Sequence, residues 1–200
     1  MSHRTDDLPK LSGLSHLIRE LRYHEFSRQS IGIILVSIFC YFAEPLLFHL
    51  SIILSPLSVI FFGLITRMYA SGFVLKNKEL STTGPYAFVR HPLYTGNIII
   101  LFGLCGVNGS LWSLITAVIF FWFYYPPAIE YEDRKLKSLF PETWENWANK
   151  TPALVPKLKG IFNQQLDLKR WSLKKSLITN YEPVIVIYVL TWLVIIWNRV

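Results

Sequence analysis

The chain has 200 residues, of which 52% are apolar and 16% charged, with a formal net charge of +7 and a mean hydropathy of +0.36. That length suits one domain. The low charged fraction, against about 25% in an ordinary soluble domain, excludes a wholly water-facing surface and points to a membrane protein with a substantial aqueous part.

The basic residues flank apolar runs, so anionic lipid headgroups are the expected electrostatic partner and nucleic acid is not. Cys40 and Cys105 lie inside apolar runs without paired spacing. A disulfide scaffold and a zinc site are thereby excluded, and no metal site is expected; both cysteines read as small buried apolar residues. Residues 1–29 are polar and charged, without the early apolar core or small-residue cleavage site of a secretory signal.

The first apolar run, Ser30 to about Leu50, has the length of a bilayer span. Glu44-Pro45 interrupts it, with the acid expected near the far interface and the Pro expected to kink the helix. A second span runs from about Ile52 to Val74. Arg67, in its last third, either snorkels to the surface or faces a ligand; like Lys76 and Lys78 it is read first as an orienting charge. A polar loop from Lys76 to His91 carries two turn signals, Thr83-Gly84-Pro85 and His91-Pro92.

Two further runs, about Pro92–Val107 and Ser110–Ile129, are separated by Asn108-Gly109 and read as a helical hairpin with that dipeptide at its tip. Pro126-Pro127 is expected to kink the exit of the second arm. Glu130 to about Asn149 has Leu136, Leu139, Phe140, Trp144 and Trp147 on one helical face, with Pro141 dividing it into two short helices. Asp133 has Arg134 and Lys137 as local charge partners. Residues 157–180 are basic, contain Trp171 and are expected to lie on the bilayer surface. The last run, about Pro183–Trp197, is short for a span and has interfacial aromatics Tyr181, Trp192 and Trp197. His24 and His49 are read as structural or surface residues.

Basic charge sets the orientation. Arg4, Lys10, Arg19, Arg22 and Arg28 precede the first span; Lys76, Lys78 and Arg90 lie in the polar loop; ten Lys or Arg fall between Arg134 and Lys175. The turns at Leu50-Ser51 and Asn108-Gly109 have none. A cytoplasmic N-terminus puts every basic segment inside.

The hairpin then brings two polar clusters to the cytoplasmic side. Arg90, His91 and Tyr94 enter its first arm. Glu130, Glu132 and Asp133 leave its second arm, about one helix diameter, ~10 Å, away. Ionisable groups at the mouth of a bilayer are costly and point to function. Basic groups suit a carboxylate, and acidic groups suit an amine, a ribose diol or a sulfonium. S-adenosylmethionine carries all of these, although the physics alone does not select it over a nucleotide.

The segment Gly84-Pro85-Tyr86, then Val89-Arg90-His91-Pro92-Leu93-Tyr94-Thr95-Gly96-Asn97, then Glu132-Asp133, Leu136, Phe140, Trp144 and Pro156, resembles the isoprenylcysteine carboxyl methyltransferase and phospholipid methyltransferase superfamily. Arg67 to Gly72 with Lys76 to Leu80 also resembles bacterial members. The resemblance covers about residues 60–157. It implies an all-α integral membrane bundle of about five transmembrane helices, with a cytosolic C-terminal helical cap over the cofactor site.

On that reading residues 1–200 form one domain, with a polar N-terminal segment at 1–29 and membrane-associated helices at 158–200. The implied activity is methyl transfer from S-adenosyl-L-methionine to a lipophilic acceptor (carboxylate, thiol or amine) arriving from the bilayer. The implied cofactor-binding residues are Tyr86, His91, Tyr94, Gly96, Glu132 and Asp133. Arg90 and Glu132 are the candidate catalytic residues, with Arg90 near the reacting centre or holding the helix that follows it. The usual acidic pair is Glu-Glu, and here the second acid is Asp133, for which Glu130 is a candidate substitute.

Each residue also has a plainer reading. Arg90 can anchor at headgroups, His91-Pro92 can be a helix start, Tyr94 can be an interface aromatic, and Gly84 and Gly96 can serve turns and close helix packing. Sterol-reductase-like membrane reductases, which use NADPH and carry a similar element, are the alternative class. A non-catalytic membrane subunit is a third.

Overall fold

The computed structural model describes residues 4–43, 50–74, 78–156, 170–180 and 182–198. Expectations for Glu44-Pro45, His49, Lys76, Tyr181 and residues 157–169 fall outside them. Among the described residues eight α-helices follow in order: α1 Gly13–Tyr23, α2 Glu25–Tyr41, α3 Leu50–Ser71, α4 Pro85–Phe88, α5 Pro92–Asn108, α6 Leu111–Leu139, α7 Pro141–Ala148 and α8 Glu182–Trp197, with a π-helical turn at Lys175–Thr179 before the last. No strand occurs among the described residues, so the all-α expectation holds.

Among the described residues two helices are long and apolar enough to cross a bilayer, Leu54–Ser71 of α3 and α6, while α5 and α8 are shorter apolar helices. That is fewer than the five spans expected. The first apolar run also differs in register: its helix begins at Glu25 and ends at Tyr41.

The hairpin forms as its tip predicts. Gly109 adopts the left-handed conformation and its N–H caps α5 on the Cys105 carbonyl. Ser110 caps α6 on the Trp112 N–H. Asn108 is buried; its amide donates to the Phe39 carbonyl at 2.8 Å and its Oδ1 accepts from the Ser110 N–H. The tip is therefore bolted to the last turn of α2.

The second arm runs past its expected end near Ile129. α6 continues through both prolines to Leu139 as one helix of 29 residues, about 43 Å at 1.5 Å per residue. That exceeds the ~30 Å thickness of a hydrocarbon core. Pro127 has no N–H to offer the Phe123 carbonyl. Arg22 of α1 donates its Nε–H to that oxygen at 3.0 Å, which is how the helix survives the proline pair. Pro141 opens α7, as its position predicted.

The tightest seam joins α3 and α5. A Cβ on Gly96 would strike the Arg67 side chain and come within 3.0 Å of the Gly63 carbonyl, so glycine lets the two backbones touch there. Arg67 is buried. Its guanidinium forms a two-point pair with Glu182 of α8 at 2.9 and 3.0 Å, and donates to Asn97 Oδ1 at 2.6 Å and the Leu93 carbonyl at 3.1 Å. It is neither a snorkelling charge nor an open ligand donor. It locks three helices together at the first turn of α8.

Arg67→Ala leaves the buried Glu182 carboxyl without its guanidinium partner. The expected loss is about 3–5 kcal/mol of stability, read as a lowered thermal midpoint in detergent. Replacing both residues by Met should recover most of it; a double variant as unstable as the single one would contradict this account.

Candidate functional site

Polar residues from the start of α5 and the end of α6 meet directly, not across a helix diameter. Arg90 stands just ahead of α5 and reaches Asp133 with two nitrogens, Nη2 at 2.8 Å and Nε at 3.3 Å. His91, the residue before the first turn of α5, lies between two carboxylates: Nε2 is 3.0 Å from Asp133 Oδ1 and Nδ1 is 3.3 Å from Glu132 Oε2. Tyr94, one turn into α5, donates its hydroxyl to Glu132 Oε1 at 2.6 Å. Two cations face two anions, so the cluster is neutral when all four are charged.

The local sequence explains why this forms. Pro92 occupies the first position of α5, where a missing N–H costs nothing, and Tyr94 follows His91 closely enough for the rings to stack at 5.7 Å. Glu132 and Asp133 are adjacent on α6 and so face about 100° apart, one toward Tyr94 and the other toward Arg90.

Arg90 does a second job. Its Nη1 donates to the Thr151 carbonyl at 2.7 Å and the Ala148 carbonyl at 3.3 Å, capping the open end of α7. The backbone N–H groups of Arg90 and His91 donate to the carbonyls of Pro152 and Ala153 at 2.8 and 3.0 Å. Four of the five guanidinium N–H donors thus point at protein acceptors.

Both ring nitrogens of His91 can donate to their carboxylates only if the imidazole is doubly protonated. Burial opposes that charge, but the hydrogen bonds and charges of Asp133 and Glu132 outweigh it and raise the pKa above its ordinary 6.5. Burial likewise pushes against ionisation of Glu132 and Asp133, yet His91, with Tyr94 for Glu132 and Arg90 for Asp133, lowers both below their ordinary values. Glu132 is recessed among these groups while 44% of its side chain stays accessible. It is the member of the cluster most open to a ligand.

The other expected residues distribute as follows. Tyr86 is buried with Ala70, Phe73 and Trp147, and its carbonyl accepts from Trp147 Nε1 at 2.9 Å. Its phenol is raised by burial, with the Glu132 charge next in weight. Gly84 sits at φ +59°, where a Cβ would enter the Phe73 ring. Gly96 lies in the α3–α5 seam and not with the acids. Glu130 is turned away: it accepts from Tyr23 at 2.9 Å and pairs with Arg134 at 3.1 Å. Asp133, not Glu130, is thus the acid that joins Glu132 in the cluster. The local partners expected for Asp133 are used elsewhere, since Lys137 pairs with Glu145 at 2.8 Å.

Sequence reasoning missed Arg28 as a neighbour of the site. Its guanidinium lies 5.2 Å from the Tyr94 ring centroid, and its charge helps hold Glu132 ionised. Placed just ahead of an apolar run, it is indistinguishable in sequence from an orienting charge.

Residues 39–143 match the family described as phospholipid methyltransferase. The chain belongs to that family. Among curated relatives it is 34% identical over 125 residues to the nickel-cobalt-cadmium resistance protein NccN of Alcaligenes xylosoxydans xylosoxydans, covering 56% of this chain and 57% of that one. It is 43% identical over 91 residues to the cobalt-zinc-cadmium resistance protein CzcN of Cupriavidus metallidurans, covering 46% and 41%. It is 32% identical over 83 residues to the protein-S-isoprenylcysteine O-methyltransferase of Schizosaccharomyces pombe, covering 40% and 35%. The matched stretch is thus no more than about half the length of these curated relatives. No solved structure matches. Among the described residues no group of three or more His, Cys, Asp and Glu side chains is arranged to hold a metal ion.

The cluster should respond to pH on both sides. The raised His91 contributes stability fully below pH 6.5 and loses it as pH rises through the higher folded value. The lowered acids contribute above their ordinary 4.5 and 3.8 and lose it as pH falls through their folded values. A thermal midpoint measured against pH should fall at both ends. His91→Gln should flatten the alkaline fall; an unaltered alkaline limb in that variant would remove His91 from the linkage.

Proposed function

We propose that this methyltransferase-family chain moves a methyl group from S-adenosyl-L-methionine to an acid or thiol on a lipophilic, membrane-borne acceptor. The observation that carries this is Glu132, a carboxylate that balances the remaining positive charge of the Asp133–Arg90–His91 group and is still accessible. The donor set fits the cofactor: a free carboxylate edge suits an ammonium group or a ribose diol. Trp144 Nε1 is a buried donor without a hydrogen-bond partner among the described residues, at the edge of the Tyr86–Trp147 cluster, and it suits a carboxylate or a purine nitrogen.

When bound, S-adenosylmethionine supplies a methyl group activated by its sulfonium. The protein's part is to hold reactants in line and keep water out. Glu132, steadied by Tyr94 and His91, is the cofactor contact. Tyr94 and His91 orient that carboxylate. Arg90 is a positioning residue: it fixes the α6 extension through Asp133 and the chain after α7 through Thr151, and it has one N–H left over. Tyr86 walls the recess, and Gly96 acts through helix packing.

The cluster also bears on the acceptor. An amine must lose a proton before it attacks. His91 is held protonated between two acids, and both acids have lowered pKa values, so neither is a good base at neutral pH. A carboxylate or thiolate needs no base, and we favour those acceptors over an amine.

In the bilayer we place α2, α3, α5, α6 and α8 as a multi-pass bundle with the N-terminus and the site on the cytoplasmic side. The support is the distribution of Lys and Arg and the absence of basic residues at the Asn108-Gly109 tip. A C-terminal cap has partial support in Trp171, whose indole packs on Gly72.

Isothermal titration of S-adenosylmethionine, S-adenosylhomocysteine and NADPH into the detergent-purified chain tests this reading. Saturable binding of the first two alone is expected. Glu132→Gln should weaken both by tenfold or more, about 1.4 kcal/mol or above, with the variant still folded at the titration temperature. Binding of NADPH alone would move the chain to the reductase class, and unchanged affinity in the variant would remove Glu132 from the cofactor site.

A further inference from the structure

Helix α1 has its polarity turned inside out. Leu14, Leu17, Ile18 and Leu21 occupy positions i, i+3, i+4 and i+7, one continuous stripe, and all four are exposed, Leu14 at 72% and Leu17 at 65%. The opposite face makes the contacts with the protein. Arg22 donates to the Phe123 carbonyl, Tyr23 donates to Glu130, and Glu20 accepts from Thr5. Arg19 binds the Pro9 carbonyl. A helix on a water-facing surface buries its apolar stripe; this one docks through polar side chains and leaves the stripe outside.

We infer that α1 lies in the plane of an anionic bilayer surface, with Leu14, Leu17, Ile18 and Leu21 among the acyl chains of the leaflet on the side of the site. Two observations choose lipid as the occupant. Exposed apolar residues resume in α2 with Phe26, Ile33, Ile34 and Ile38, with only His24 between the helices, so two consecutive helices both turn apolar side chains outward. The chain also carries a net charge of +7, complementary to anionic headgroups.

The placement has a consequence for the site. Tyr23 bonds Glu130, two residues from Glu132, and Arg134 donates to the Arg4 carbonyl at 2.8 Å. The lipid-anchored helix and the segment before it thereby brace the part of α6 that carries the acids.

The test uses the full chain in nanodiscs containing phosphatidylglycerol, with spin labels on Leu14→Cys, Leu17→Cys, Ile18→Cys and Leu21→Cys, and on Ser15→Cys as the polar-face control. The native Cys40 and Cys105 are buried, and the label-treated unsubstituted chain gives the background. Collisions with oxygen should exceed those with a water-soluble nickel chelate several-fold at the four stripe positions, with the order reversed at Ser15. Nickel access at all five positions would overturn the proposal. So would spin–spin broadening that vanishes on dilution with unlabelled chain, since a second copy would then cover the stripe. Neither result depends on cofactor binding, so this inference and the methyltransferase reading fail separately.

Discussion

The four-charge lattice of Arg90, His91, Glu132 and Asp133 is the interaction on which the working end of the molecule depends. It joins residues more than 40 positions apart, through contacts of 2.8 to 3.3 Å. Ions brought out of water are costly unless paired. Here each cation meets an anion and the sum is zero, so the cluster can sit partly buried without shifting toward neutral forms. His91 is charged because its neighbours are, and the acids stay ionised because His91 is. The accessible edge of Glu132 follows from that balance.

A second pattern supports the first. Side chains repeatedly fill backbone carbonyls that helices leave open. Arg22 takes the Phe123 oxygen that Pro127 cannot reach, Arg90 takes the last oxygens of α7, and Asn108 takes one at the end of α2. Asn180 donates to Ser71 at the end of α3. In a bilayer an unfilled carbonyl has no water to turn to. These polar side chains therefore act as joints between helices, and several of the arginines that look like surface charge in the sequence are among them.

The family match and the geometry address different questions. The match says which family the chain belongs to. The geometry shows how its residues are placed, with Glu132 the most accessible of the four, Arg90 bound to Asp133 and to the chain end of α7, and His91 between two carboxylates that raise its pKa.

Much of this was legible in the sequence because it depends on local chemistry. Apolar runs, the Asn108-Gly109 tip, Pro92 and Pro141 announce helices and their ends, and the two polar clusters announce a site. Tertiary structure decided the rest. A proline pair announces a kink, and only the fold shows that a distant Arg takes the carbonyl oxygen left open there. Glu130 and Asp133 are equivalent on paper, and only the rotation of α6 against α5 turns one toward Arg90 and the other toward Tyr23. Residues 1–29 were read as a polar segment because their charges dominate, yet α1 has an unbroken apolar stripe within them. Local residue chemistry determined where the helices and the site would be; the packing of α1, α5 and α6 determined which charges meet, because partner choice depends on distances that no linear spacing contains.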